Sequence, residues 1–206
     1  MEIDKKKYKI AGENYYKSKN KKNQIILAGS LRSEGNHIKR LTKKSFGKTK
    51  KWCTYSITRE GYVYQHYDPK YYSDFMGNKN VDKHSISIVL ENMGSLFYDD
   101  QTNEWYNWVM EVCDDDLVFE KQWKGSRYWE IYTEEQFKST VELCKHLSDE
   151  HDIVLDSLGY NVYKRGTENF QGIVTRSNYD IDFDDLSPHF NFRRFLDEIG
   201  IDINYG

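Results

Sequence analysis

Apolar positions fall into short runs separated by long polar stretches, and each run has the length of a strand or one face of a helix. Gln24 to Ala28 (QIILA) predicts a short buried strand. Trp52–Thr58 and Tyr62–Tyr67 are β-rich runs on either side of Arg59-Glu60-Gly61, which predicts a hairpin around a glycine turn. Residues 85–91 (SISIVLE) form the clearest strand, and the apolar run from Ile88 gives it a central place in a sheet. Gly172 to Thr175 (GIVT) predicts one more.

Two segments change period. Thr133 is a good N-cap, and Gln136 three residues on completes a capping box. Phe137, Thr140, Val141, Cys144 and Leu147 then recur at helical spacing. Residues 190–199 place Phe192, Phe195, Leu196 and Ile199 on one face, with Gly200 as the C-cap. Residues 31–48 read as a polar loop with a short helix. Residues 94–132, aromatic and acidic, show no period that assigns them. The expected architecture is α/β: a mixed central β-sheet flanked by helices in one domain, 23–206, preceded by a basic N-terminal arm, 1–22.

Composition narrows this picture. Only 38% of the 206 residues are hydrophobic, yet 16% are aromatic, so a packed core is expected where disorder would otherwise be. No apolar run approaches the roughly 20 residues of a membrane helix, and MEIDKKKYKI lacks the apolar stretch of a secretory leader. Cys53, Cys113 and Cys144 are odd in number and lack a CxxC, which argues against a disulfide framework and for synthesis in a reducing, cytoplasmic compartment. Charge is unevenly spread: residues 1–51 hold 16 Lys/Arg against 4 Asp/Glu, and the rest hold 14 against 29. A segment of that sign is attracted to polyanions or acidic partners, or lies on its own acidic body. Its runs of Lys lack the Arg-aromatic interleaving of a base-reading surface.

Five stretches carry a resemblance: QIILAGSLRSEGN (24–36), TYSITREGYVYQHY (54–67), HSISIVLENMGSL (84–96), KGSRYWEIYTEEQ (124–136) and GIVTRSNYDIDFDDLSPHFNF (172–192). In order and spacing they resemble the type 2 N-acetylmuramoyl-L-alanine amidases, zinc hydrolases of phage endolysins that share a fold with peptidoglycan-recognition proteins. The resemblance implies a zinc held by two His and one Asp or Cys, activating water against the amide between muramic acid and L-alanine.

Carried over position by position, that chemistry is largely missing. Ala28 stands at the first zinc His and Arg176 at the second, while Asp185 keeps the acidic ligand. Phe183 replaces a Lys, Cys53 a Tyr, and Val89 the catalytic Glu. Ala28 has no lone pair, and a guanidinium is permanently cationic and would repel the ion. An Arg176–Asp185 ion pair filling the position is the expectation. The resemblance thus implies a catalytically degenerate amidase of phage derivation without a cofactor. It would bind a peptidoglycan fragment or a protein of virion or host, through Arg176, Asp185, Trp105 and Trp108.

Two alternatives stay open. One is an active zinc amidase with relocated ligands; the other is a polyanion or regulatory-protein binder using residues 1–51. Cys53 as a nucleophile would need a nearby His and a lowered pKa.

Overall fold

A computed structural model describes residues 1–42, 50–160 and 162–201. Its strands and helices are β1 (Ile3–Asp4), β2 (Gln24–Gly29), α1 (Asn36–Lys39), β3 (Tyr55–Ile57), β4 (Val63–Gln65), α2 (Lys79–His84), β5 (Ser85–Leu90), β6 (Ser95–Asp99), β7 (Glu104–Tyr106), β8 (Val112–Cys113), β9 (Val118–Trp123), β10 (Ser126–Glu130), α3 (Glu134–His151), β11 (Gly172–Thr175) and α4 (Phe192–Ile199). The main sheet runs β1-β4-β3-β5-β2-β11, with β3 and β4 antiparallel and every other neighbour parallel. The expected mixed sheet is therefore present, with each predicted strand in it.

The continuous apolar runs of β2 and β5 follow from their position, since both are buried along their whole length. Side chains alternate between two faces. Ile25, Leu27, Ile86, Ile88 and Leu90 meet Phe137, Val141, Cys144 and Leu147 of α3 and Phe195 and Ile199 of α4. Ala28 and Val89 turn the other way and pack with Cys53, Trp52 and Tyr67. That second face carries the candidate site.

The hairpin turn needs its glycine. Gly61 sits at φ +81°, and a Cβ there would lie 2.8 Å from the Glu135 carbonyl oxygen at the start of α3. The capping box is only half made. Thr133 Oγ1 accepts from Gln136 N at 3.1 Å, but the Gln136 side chain donates to the carbonyls of Ile57 (3.2 Å) and Glu91 (2.8 Å). Half of the local signal is thus spent tying α3 to the sheet. Gly200 caps α4 in the left-handed conformation, as expected.

Two expectations change. Residues 1–22 are laid along the domain instead of standing off as an arm. Strand β1 extends the main sheet beside β4, Ile10 is buried, and Tyr16 bridges and stacks on Tyr72. Lys22, expected in a solvated basic run, is 2% exposed, and its Nζ donates to the carbonyls of Tyr71 and Lys83, both at 2.8 Å. Burial pulls its pKa down to about 7. Apolar and tyrosine positions scattered among the lysines drive this docking. The unassigned stretch 94–132 forms a second sheet, antiparallel, in the order β8-β7-β6-β10-β9. Its buried core is small, Met93, Leu96 and Cys113, and apolar strand residues such as Phe97, Tyr98 and Val112 stand exposed, so no clear alternation marks it.

Candidate functional site

A small cavity of about 190 Å³ opens on the second face of the main sheet. Its walls include Gly29 and Ser30 at the end of β2, Cys53 ahead of β3, Val89 of β5 and Arg176 directly after β11. Crevices at the carboxyl ends of parallel strands are the usual ligand positions of such sheets. Of the six positions singled out in the sequence, Cys53, Val89 and Arg176 line this cavity, and Ala28 is buried against Cys53 and Val89. Asp185 and Phe183 reach it through Arg176.

Arg176 and Asp185 form the expected ion pair. The guanidinium Nη2 lies 2.7 Å from Asp185 Oδ2, and Nε donates to the same oxygen at 2.8 Å. Nη2 also donates to the Gly29 carbonyl at 2.9 Å, while Gly29 N donates to Asp185 Oδ2 at 2.8 Å. The pair therefore clamps the end of β2 to the segment after β11. Phe183 stacks on the guanidinium with its ring centre 4.9 Å away. Asp185 is 1% exposed, so the pair is desolvated on the acid's side.

Behind Cys53 lies a relay that the sequence did not announce. His66 Nδ1 is 2.9 Å from the Tyr8 carbonyl, which can only accept, so this nitrogen carries the proton. Burial holds the His66 pKa near 4, so the ring is neutral and Nε2 accepts from Ser56 Oγ at 2.7 Å. Ser56 Oγ in turn accepts from His37 Nε2 at 3.0 Å. His37 is therefore left with a bare Nδ1, buried and without a hydrogen-bond partner among the described residues. Burial first, and then the nearby guanidinium charges of Arg40 and Arg176, hold the His37 pKa well below its ordinary value and keep the ring neutral. His37 and Ser56 are 19 residues apart and lie in no motif, so no local signal could have paired them.

This relay bears on Cys53. His37 Nε2 is only 3.9 Å from the Cys53 sulfur, so a nearby imidazole exists. The second requirement fails, because burial pushes the thiol pKa up to about 12. All three cysteines are buried. None is expected to react with a thiol reagent in the folded protein on the timescale on which all three react in denaturant. Fast native labelling of Cys53 would overturn this reading of the thiol.

Trp105 and Trp108 are not among the residues lining the cavity. Trp105 packs between Tyr98 and Tyr128 in the second sheet, with ring centres at 5.0 and 4.5 Å. Trp108 is 62% exposed, donates from Nε1 to the Leu31 carbonyl at 2.9 Å, and stacks against Arg32 at 4.9 Å. It thus rests on the chain leaving β2, two residues beyond Gly29. Ala28, Arg176 and Asp185, the positions that the resemblance matches to zinc ligands, present a methyl, a guanidinium and a carboxylate engaged by that guanidinium. Among the described residues, no group of three or more His, Cys, Asp or Glu is arranged to hold a metal ion.

A six-stranded mixed sheet, backed by two helices and carrying its cavity at the ends of β2, β5 and β11, defines the amidase class of fold. The sequence profile of the N-acetylmuramoyl-L-alanine amidase family matches residues 18–178, and the chain belongs to that family. Solved structures agree on the fold. The amidase LysC from Clostridium intestinale URNW superposes with a TM-score of 0.53 at 11% identity, covering 98% of this chain and 99% of that one. A mutant endolysin from Bacillus subtilis gives 0.58 at 14% identity, covering 97% and 99%. AmiD from E. coli, solved with anhydro-N-acetylmuramic acid-L-Ala-D-gamma-Glu-L-Lys, gives 0.54 at 13% identity, covering 95% of this chain and 65% of that one. No curated protein sequence matches the chain.

Proposed function

We propose that this chain is a non-hydrolytic member of the amidase family that binds a peptidoglycan fragment. The observation that carries the reading is the Arg176 guanidinium, held by Asp185 and the Gly29 carbonyl. It stands at a position where the family resemblance places a zinc-ligating His. A guanidinium offers no lone pair to a metal, and its positive charge opposes a second cation. With Ala28 at the other His position, Asp185 is the single donor left of three. The amidase fold is retained, and on this reading ligand binding is the activity that survives. The AmiD relative, whose structure holds a muramyl peptide, supports this class of ligand. A phage source and a partner protein in a virion or host complex are compatible extensions of the same reading. Polyanion binding through residues 1–51 has less support, because part of that segment is docked on the sheet.

The test is metal content together with wall binding. Purified, tag-free protein expressed with supplemental zinc is expected to retain far less than one zinc per chain by plasma mass spectrometry. It should co-sediment with purified sacculi without releasing new amino groups from them. Near-stoichiometric zinc with amine release would replace this reading with an active amidase.

A further inference from the structure

We propose that the cavity beside Arg176 is a phosphate site, taking the dianionic phosphoryl group of inorganic phosphate or of a small phosphomonoester. The inference rests on the reading that no metal occupies this position, and it adds a ligand class which that reading does not contain.

Charge is the first argument. Among the described residues, the cavity is lined by the cations Arg40, Lys51 and Arg176 and by no carboxylate. Arg176 is neutralised by Asp185. Arg40 and Lys51 have no carboxylate partner among the described residues. Two positive charges therefore converge on one small space without compensation, and a dianion is the ligand that balances them. The Arg40 charge is felt by the buried groups behind it: it adds to burial in depressing the His37 pKa and pulls against the rise that burial imposes on the Cys53 thiol.

Size and polarity are the second argument. A cavity of about 190 Å³ is smaller than the roughly 300–1,000 Å³ of ordinary small-molecule pockets, so it suits one compact group rather than a disaccharide. Its wall also contains His37, which is 5% exposed. A phosphoryl dianion brings two negative charges for the two cations in one compact group. A carboxylate does not supply the second charge.

The test is calorimetric titration of the full chain after chelation, with zinc measured in the same sample. Sodium phosphate, glucose 6-phosphate and sodium acetate are titrated at constant ionic strength. Phosphate is expected to bind, with acetate weaker by about tenfold or more. Lys51→Gln and Arg40→Gln change exposed side chains outside the core, and each should weaken phosphate by about tenfold. Glucose 6-phosphate binding as tightly as phosphate identifies a monoester end as the ligand; binding of phosphate alone identifies the free ion. Both results support the site. Acetate matching phosphate, or phosphate binding unchanged in both variants, overturns it. Failure of zinc-free protein to bind phosphate sinks the phosphate site and leaves the preceding reading standing. Phosphate binding that is present only with stoichiometric zinc sinks both.

Discussion

Arg176→Ala is expected to destabilise the protein by about 3–5 kcal/mol, the usual loss when one partner of a buried ion pair is removed. The reason is what remains. Asp185, 1% exposed, would keep one hydrogen bond from Gly29 N and lose its counter-charge, and its Oδ1 already has no partner. The Gly29 carbonyl would lose its donor as well. Arg176→Lys keeps the charge but cannot reach both Asp185 and Gly29 in the same fork, so an intermediate loss is expected. The double variant Arg176→Met/Asp185→Leu removes both charges together and should recover most of the stability. Urea unfolding of the three variants checks this. A loss under about 1 kcal/mol for Arg176→Ala would show that the pair is solvated and is not the clamp described here.

The second large effect concerns pH. Burial, reinforced by the neighbouring carboxylates of Glu60, Glu34 and Glu130, pushes Glu91 up to about 7, while Gly35 N donates to its Oε1 at 3.1 Å. Its Oε2 is buried without a partner. The folded-state pKa is raised above the unfolded value, so the folded chain holds this proton more tightly. The resulting stabilisation is complete below about pH 4.5, the unfolded value, and is lost as pH rises through about 7. Glutamine imitates the protonated acid at every pH. Glu91→Gln should therefore match the parent near pH 4.5 and exceed it by about 2–3 kcal/mol at pH 8. Comparing variant with parent cancels the opposite trend of the buried His37 and His66, whose lowered pKa values withdraw stability as pH falls. Glu130, also pushed up to about 7 by burial, is the contrast. It faces Arg59 at 3.1 Å and accepts from Met93 N at 2.6 Å. Glu130→Gln leaves Arg59 without its counter-charge and should destabilise at pH 8. Urea titrations at the two pH values decide this; a Glu91→Gln advantage independent of pH would refute the assignment.

Much of the candidate site was legible because it is built from residues that a linear resemblance can align. Ala28, Val89 and Arg176 each sit at or just after the end of a strand whose apolar run is readable. Once the strands are placed, the converging ends place these residues too. The opposite charges of Arg176 and Asp185, nine residues apart, then suggest a partner for each. Trp105 and Trp108 show the limit of that reasoning. Aromatic character marks a packing or stacking residue, but not which sheet it serves, and these two belong to the second sheet and its connecting loop.

The sequence by itself determined the elements whose stability is local. These are the buried strands β2, β5 and β11, the hairpin around Gly61, the helix started by Thr133 and the helix ended by Gly200. Their periods, caps and turn residues act within a few positions, so they are visible in a short window. Tertiary structure alone decided where the lysine-rich N-terminus goes, since Tyr16 meets Tyr72, and Tyr8 meets Tyr64 and His66, across more than 50 residues. It alone paired the strands of the second sheet, whose apolar residues show no alternation that a short window reveals. It also brought Arg40 and Lys51, which read as ordinary surface cations, to the mouth of one cavity with Arg176. Charge is a property of single residues, but a binding field is a property of their convergence, and that exists only once the sheet has folded.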